Sequence, residues 1–420
     1  MRIVILSMGT RGDVQPYIAL GLGFQRAGHR VRIAAPEAYA SFVTSHGLDF
    51  APLAGDPTQF IRSLVDEAGH NPLRVLRVML DFGLPIGVEV MQRSWAACQD
   101  ADVVLSSFLM VYAGHTIAHQ RNLPHFSAQM FPVFTPTSAF PSPAFPIKAW
   151  GAAYNRLTHA VLTLFYRYGN EFGYRLIKKR LQGLPSTLNW PFSASVNPPT
   201  PTLYGFSPLI IPPPPDWSAA VHVMGYWFLD SNDGWQPPDA LVHFLDAGAP
   251  PVYIGFGSMV TRDADKLTRI VVEALAKSGQ RAVLAGGWGV LSADQLPESI
   301  CHLDSAPHDW LFPRMAAVIH HGGAGTTGAA LRASVPQLIV PFAADQPFWG
   351  NRVHRLGVGV PPILSKQLTV DSLTNAIHSL VSDGSLRQRA SQLGVHIRAE
   401  DGVANAVRIV EQTVAQYRGA

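Results

Sequence analysis

The residues best suited to chemistry in this chain lie between positions 320 and 351. They form His-His-Gly-Gly-Ala-Gly-Thr-Thr (His320–Thr327), Pro-Gln-Leu-Ile-Val-Pro (Pro336–Pro341) and Ala-Asp-Gln-Pro-Phe-Trp-Gly-Asn (Ala344–Asn351). The apolar run Ala316–Ile319 before the histidines has the character of a buried strand. Glycine lets a backbone lie against a bulky anion because no Cβ intervenes. Thr326 and Thr327 are then expected to open an alanine-rich helix over 328–333. A helix start offers free N–H groups and the positive end of its dipole, which suits a phosphate or diphosphate. A glycine-rich strand-to-helix turn is also an ordinary connection in α/β proteins, so the turn alone does not decide. The imidazole before it and the hydroxyls after it favour a phosphate role. So does the pair Asp345-Gln346, which follows a second apolar strand at the kind of place where parallel sheets hold ligands.

A second candidate lies near the start. Arg2–Met8 reads as a strand, Gly9–Pro16 as a turn, Tyr17–Ala27 as a helix closed by Gly28, and Val31–Ala34 as the next strand. The loop is not Gly-x-Gly-x-x-Gly, and no acid closes the second strand, which argues against a nicotinamide cofactor. Asp13 in this loop has two uses open to it. It can cap the helix, or it can take a proton if burial raises its pKa. His115 and His119 stand at i, i+4 on an expected helix, but no carboxylate accompanies them, and they read as ordinary histidines.

The 320–351 motifs resemble the donor-binding signature of the GT-B glycosyltransferases that use nucleotide sugars, the family of plant and bacterial small-molecule glycosyltransferases. The resemblance implies that His321 contacts the donor diphosphate. It implies that Gly323, Gly325 and Thr326 meet the phosphates, and that Asp345 and Gln346 hold the sugar hydroxyls. It puts Ser258 near the diphosphate, and Ala306 to His308 where the nucleobase is read by backbone. Plant relatives have a stacking Trp where Ser305 stands, so Trp288 is expected to supply the stack. Plant relatives also carry Gly-His in the first loop and use that His as base, where this chain has Gly12-Asp13. The run Thr10–Pro16 resembles the sterol glucosyltransferase branch and some antibiotic glycosyltransferases. Asp13 is accordingly expected to be the base, with His125 as the next candidate. Phe206–Pro208, Pro215–Trp217 and Gly225–Phe228 resemble the segment that joins the two domains in the sterol branch.

The elements that must position these groups are consistent with that fold. At 420 residues the chain can build two full cores. Hydrophobic residues make up 47% and charged ones 15%, so it is globular rather than disordered. A net charge of +3 is too small to suggest nucleic acid. Two distant cysteines, Cys98 and Cys301, form no disulfide framework or metal motif and fit a reducing compartment. The apolar start is too short for a signal peptide, and no apolar run is long enough to span a bilayer. The expected setting is cytoplasmic, with peripheral membrane contact as an option.

The expected architecture is α/β: two doubly wound, Rossmann-like domains facing across a cleft. The expected divisions are an acceptor domain over 1–210, a linker over 211–245, a donor domain over 246–400, and a final helix over 401–420 crossing back. The linker contains Pro212–Pro215, and the final helix is read over Val403–Tyr417. The stretch Phe126–Trp150 interleaves aromatics with prolines, which forbids regular structure. It is either an apolar acceptor wall, with Phe126, Phe131, Phe134 and Phe140 in contact, or a proline-rich loop folded on the core. A helical pattern over 155–182 mixes aromatic and basic groups. It suits either a solvated face or an anionic membrane surface.

The implied reaction is inverting transfer of a hexose, glucose from UDP-glucose first, to a hydroxyl of a bulky apolar acceptor. A sterol is the first choice, and a polyketide, antibiotic or glycolipid aglycone the second. No metal and no cofactor are expected beyond the nucleotide-sugar co-substrate. A nucleotide-sugar epimerase and an inactive lipid-binding protein of the same fold are the other readings.

Overall fold

The computed structural model describes residues 1–55, 84–178, 181, 190–192, 196, 199–230, 234–257, 264–286 and 296–419. Two parallel sheets organise the described residues. The first contains β1 (Arg2–Leu6), β2 (Arg30–Pro36), β3 (Asp49–Leu53), β4 (Val103–Ser106), β5 (His125–Gln129), β6 (Thr202–Tyr204) and β7 (Val221–Val223). Their order is β3-β2-β1-β4-β5-β6-β7. The second contains β8 (Val252–Gly255), β9 (Ala282–Ala285), β10 (Ile300–Leu303), β11 (Ala317–His320) and β12 (Gln337–Ile339), in the order β10-β9-β8-β11-β12. Strands such as Ile3-Val4-Ile5-Leu6 and Ala317-Val318-Ile319-His320 are buried on both faces. Continuous apolar runs of this kind suit a parallel sheet covered by helices on each side.

The helices are α1 (Arg11–Arg26), α2 (Ala40–Thr44), α3 (Leu84–Ala97), α4 (Val111–Gln120), α5 (Gly151–Ile177) and α6 (Asp239–Asp246). They continue with α7 (Ala264–Ser278), α8 (His308–Leu311), α9 (Ala324–Arg332), α10 (Gln346–Arg355), α11 (Val370–Ser382), α12 (Gly384–Ala399) and α13 (Gly402–Gly419). Residues 221–223, which the sequence places in the linker, instead form the edge strand of the first sheet, paired with β6. Likewise β5 begins at His125, ahead of the first proline of the aromatic stretch, so the irregular chain starts only after Gln129.

Each sheet has a point where strand order reverses, between β1 and β4 in the first and between β8 and β11 in the second. Loops at such points diverge to opposite faces and leave a crevice, where open α/β sheets bind ligands. The register sets Leu6 beside Ser106 and His320 beside Gly255. The chain therefore leaves both switch points at Ser7–Thr10, Ser107, Phe256-Gly257 and His321–Gly323.

An apolar cluster joins the two units. It contains Phe140, Tyr204, Phe206, Ile210 and Ile211 from the first half and Leu331, Ile339, Phe348 and Trp349 from the second. Trp349 is fully buried, with its ring 6.1 Å from that of Phe206. The terminal helix α13 packs on α1, where Val403 lies against Gly23. The crossing needs two glycines. A Cβ on Gly402 would stand 2.4 Å from the carbonyl of Gly225. Gly225 itself has φ +97°, a conformation other residues resist. Ser207 Oγ donates to Glu400 Oε1 at 2.6 Å, and Asn405 Nδ2 to the Met224 carbonyl at 3.0 Å, beside the same crossing.

Candidate active site

Asp13 occupies the first turn of α1. Its Oδ2 accepts the Thr10 N–H at 2.7 Å and the Thr10 hydroxyl at 3.1 Å. Ser7 Oγ donates to the Asp13 carbonyl at 2.6 Å. Both hydrogen bonds to the carboxylate fall on Oδ2, so capping and proton transfer are compatible uses of one side chain, with Oδ1 left to a ligand. Gly9 makes the arrangement possible: a Cβ there would stand 2.2 Å from Asp13 Oδ2, and its φ is +142°. Asp13 is open to solvent on one side, yet it lies deep among surrounding protein. That burial raises its pKa above the usual carboxylate value, against the opposing pull of the Thr10 hydrogen bonds.

On the other side, the two adjacent histidines have different surroundings. His320 is fully buried, with Nε2 2.9 Å from Gln337 Oε1, and its Nδ1 accepts the Gly322 N–H at 3.1 Å. Both ring nitrogens are satisfied within the fold. Burial, reinforced by His321, brings its pKa down to about 3, so it is neutral. His321 is only half-buried, and its buried Nδ1 has no hydrogen-bond partner. Burial lowers its pKa to about 4, against the opposing influence of the Gly255 carbonyl. The ring lies over Gly323, where a Cβ would come within 2.7 Å of His321 Nε2.

Helix α9 starts at Ala324 with Gly323 as its cap, earlier than the sequence suggests. Gly325 and Thr326 therefore lie inside the first turn, among the N–H groups left without helical partners. Thr327 is buried, and its hydroxyl donates back to the Gly323 carbonyl at 2.9 Å. Gly322 has φ +98°, and a Cβ there would meet Ile339 and Gln346.

Asp345 caps α10, and its Oδ2 accepts the Trp349 indole N–H at 2.7 Å. Its pKa rises to about 6, first through burial and then through the negative charge of Asp13, with the Trp349 bond opposing. Gln346 is buried, and its Oε1 accepts the N–H groups of Phe342 at 2.7 Å and Ala343 at 3.1 Å. Gln346 thus holds the shape of its own loop, in which Ala344 takes φ +56°. Its amide NH2 is the end left for a ligand.

His308 opens α8 and stacks on Phe312 at 4.2 Å. Burial, then the positive charge of Arg11, then His321 lower its pKa to about 4. Arg11 thus approaches from the first domain, with its guanidinium 4.7 Å above the Phe42 ring. Ala306 packs beside Leu311 and Phe312 in the adjoining core. Ser258 and Trp288 lie outside the described residues.

The aromatic expectations divide. Phe126 is fully buried beneath the sheet, packed with the α1 and α13 side chains, and does not line an acceptor wall. Its place on a central strand gives it the core face. Phe131 and Phe134 do join an aromatic cluster, with Phe108, Tyr112, Tyr166 and Trp190. Phe134, at φ +65°, stacks on Phe108 at 5.5 Å and on Phe192 at 5.1 Å. Phe140 instead packs on Phe348 at 5.6 Å in the interdomain cluster, under the Arg352 guanidinium. His125 is buried against Ser106, 3.1 Å from its hydroxyl, and burial keeps it neutral. A base there would face the interior of the first domain. No group of three or more His, Cys, Asp or Glu among the described residues could hold a metal ion. The chain does contain two Asp-x-Asp triplets, Asp100-Ala101-Asp102 and Asp263-Ala264-Asp265; Asp100 pairs with Arg32 and Asp102 with Arg2, Asp265 stands in the first turn of α7, and Asp263 lies outside the described residues.

Two residues escaped the sequence reading. Trp349 could have been found from its i, i+4 spacing to Asp345 on one helix face. Arg11 offers no such signal, because its neighbour His308 is distant in sequence.

Two parallel-sheet domains with a cleft at both switch points define a GT-B glycosyltransferase fold. Residues 3–141 match the glycosyltransferase family 28 N-terminal domain, and residues 288–412 match the erythromycin biosynthesis protein CIII-like C-terminal domain. The chain is 39% identical over 98% of its length to a sterol 3-beta-glucosyltransferase of Emericella nidulans, and spans 30% of that protein. It is 38% identical over 97% of its length to a sterol 3-beta-glucosyltransferase of Arabidopsis thaliana, and spans 65% of that one. The glycosyltransferase of kitacinnamycin shares the fold with a TM-score of 0.71 at 22% identity, covering 98% of this chain and 99% of its own. The chain has the GT-B fold, and along nearly its whole length it is similar to the sterol 3-beta-glucosyltransferases.

Proposed function

We propose that this protein transfers glucose from UDP-glucose to the hydroxyl of a sterol, inverting the anomeric centre. One observation carries the reading: an Asp13 carboxyl of raised pKa and the half-buried His321 ring beside a helix start occupy the switch points of two facing domains. The similarity to sterol 3-beta-glucosyltransferases supports the choice of sugar and acceptor.

In this reading the diphosphate sits at the start of α9. The N–H groups of the first turn and the His321 ring take the charge that develops on the leaving group. Donors already fixed in place stabilise such charge without reorganising. Asp345 and the Gln346 amide receive hydroxyls of the sugar. Asp13 Oδ1 takes the acceptor proton as the oxygen bonds to the anomeric carbon. A carboxylate of raised pKa is the better base for an alcohol whose proton is lost only in the transition state.

The product distinguishes this from the alternatives. With UDP-α-glucose and a sterol, proton NMR should show a β-glucoside. An α-glucoside would overturn the inverting assignment. Isomerised donor with no glycoside would indicate an epimerase.

A further inference from the structure

Helix α5 is 27 residues long, roughly 40 Å, and carries two unlike apolar faces. One faces inward, with Tyr166, Tyr174 and Ile177 buried. Tyr166 stands 4.7 Å from Phe134 within the aromatic cluster, and its hydroxyl donates to the Phe108 carbonyl at 2.5 Å. The second runs through Leu157, Val161, Phe165, Tyr168, Phe172 and Leu176, at steps of three and four, so it forms one stripe. That stripe lies roughly 130° around the axis from the buried face. It is open to solvent, with Phe165 76% and Leu157 60% exposed. Trp150, immediately before the helix, is 71% exposed.

Charge is concentrated on the same element. Residues 148–178 contain Lys148, Arg156, Arg167, Arg175 and Lys178 against the single acid Glu171, a net +4 from five positive and one negative charge. The whole chain has a net charge of +3, so the remainder sums to −1. Glu171 pairs with Arg167 at 3.0 Å and reaches Arg175 at 4.0 Å. Lys148, Arg156 and Lys178 have no ion-pair partner among the described residues. Arg175 falls at one margin of the stripe, and Arg156, Arg167 and Lys178 share a line roughly 60–100° beyond that margin.

We propose that α5 lies flat in the interface of an anionic lipid bilayer, with its stripe in the acyl boundary and its basic edge among the headgroups. A helix with an apolar face and a cationic edge fits that depth, and Trp beside Lys is suited to the boundary itself. Each basic side chain near an anionic surface adds attraction that salt weakens. An ordinary protein partner would not require the cationic edge. The placement would bring the inward face, and with it the Phe134 cluster, alongside the phase in which an apolar acceptor dissolves. This last point rests on the proposed function; the bilayer contact does not.

Vesicle flotation tests the proposal without acceptor or nucleotide sugar, so its failure is distinguishable from failure of the transferase reading. The full chain is floated with sterol-free phosphatidylcholine vesicles, with and without phosphatidylglycerol. It should bind the anionic vesicles more tightly, and added salt should weaken that binding. Phe165→Ser with Phe172→Ser should reduce binding at least tenfold. Lys148→Gln with Arg156→Gln should reduce it at least fivefold on anionic vesicles alone. Thermal midpoints should stay unchanged, because these side chains face solvent. Absence of binding, or binding insensitive to both pairs, would overturn the proposal. So would a lowered midpoint in the Phe pair, which would show the stripe packed against this chain, or dissociation of a dimer, which would show a second copy on it.

Discussion

Asp345 belongs to the second domain and Asp13 to the first, yet the charge of Asp13 helps to raise the pKa of Asp345 to about 6. Burial is the larger cause. An acid whose folded pKa exceeds its unfolded value contributes stability below the unfolded pKa and loses it as pH rises through the folded one. Asp345→Asn keeps an acceptor for the Trp349 indole but carries no charge. It should therefore be more stable than the parent at pH 7, by about 3 kcal/mol at most, and no more stable near pH 4. Thermal melts at the two pH values check this; a parent more stable at pH 7 would contradict it.

Sugar and nucleotide contacts should separate. Asp345→Ala should lower turnover with UDP-glucose at least tenfold while leaving UDP affinity within about twofold, since losing a hydrogen bond to a charged group costs about 1.5–3 kcal/mol. Titration calorimetry with UDP, beside initial rates, checks the separation. A parallel fall in UDP affinity would assign Asp345 to the shape of its loop.

The donor phosphates should depend on the His321 ring and on its seat. His321→Ala should weaken UDP binding by about 1.5–3 kcal/mol, the worth of a hydrogen bond to a charged group. Gly323→Ala should do so as well, because its Cβ would stand 2.7 Å from His321 Nε2 and displace the ring. Unchanged calorimetry in both variants would remove His321 from the donor site.

Much of this site is legible in the sequence. Chain-local motifs carry the His320–Thr327 turn, the Asp345-Gln346 pair and the Thr10–Pro16 loop, because each needs only glycines, hydroxyls or acids at fixed offsets. Contacts between distant segments are not legible. Nothing local shows that the Asp345 pKa responds to Asp13, or that Arg11 comes near His308. Phe126 was expected in the acceptor wall because an aromatic-rich stretch does not reveal where a strand ends. Only the pairing of Phe126 with Leu105 shows that it belongs to the sheet. The edge strand Val221–Val223 escaped for a similar reason: three residues are too few for a period.

The crossing of linker and terminal helix should hold the domains together. Gly402→Val would put side-chain atoms within reach of the Gly225 and Tyr226 carbonyls. It should cost about 1–3 kcal/mol or more, as overpacking does. Chemical denaturation checks this; an unchanged midpoint would show that the crossing gives way freely.

The most direct test compares the parent with Asp13→Asn for sterol glucoside formation from UDP-glucose. Asn keeps the shape and the acceptor that caps α1, so folding should be preserved. Removing the base should lower turnover roughly 10²–10⁴-fold with UDP affinity retained. A parent that forms one-hexose sterol glucoside and a folded variant slowed by that factor would match the account. A folded Asp13→Asn protein with near-parental turnover would contradict it.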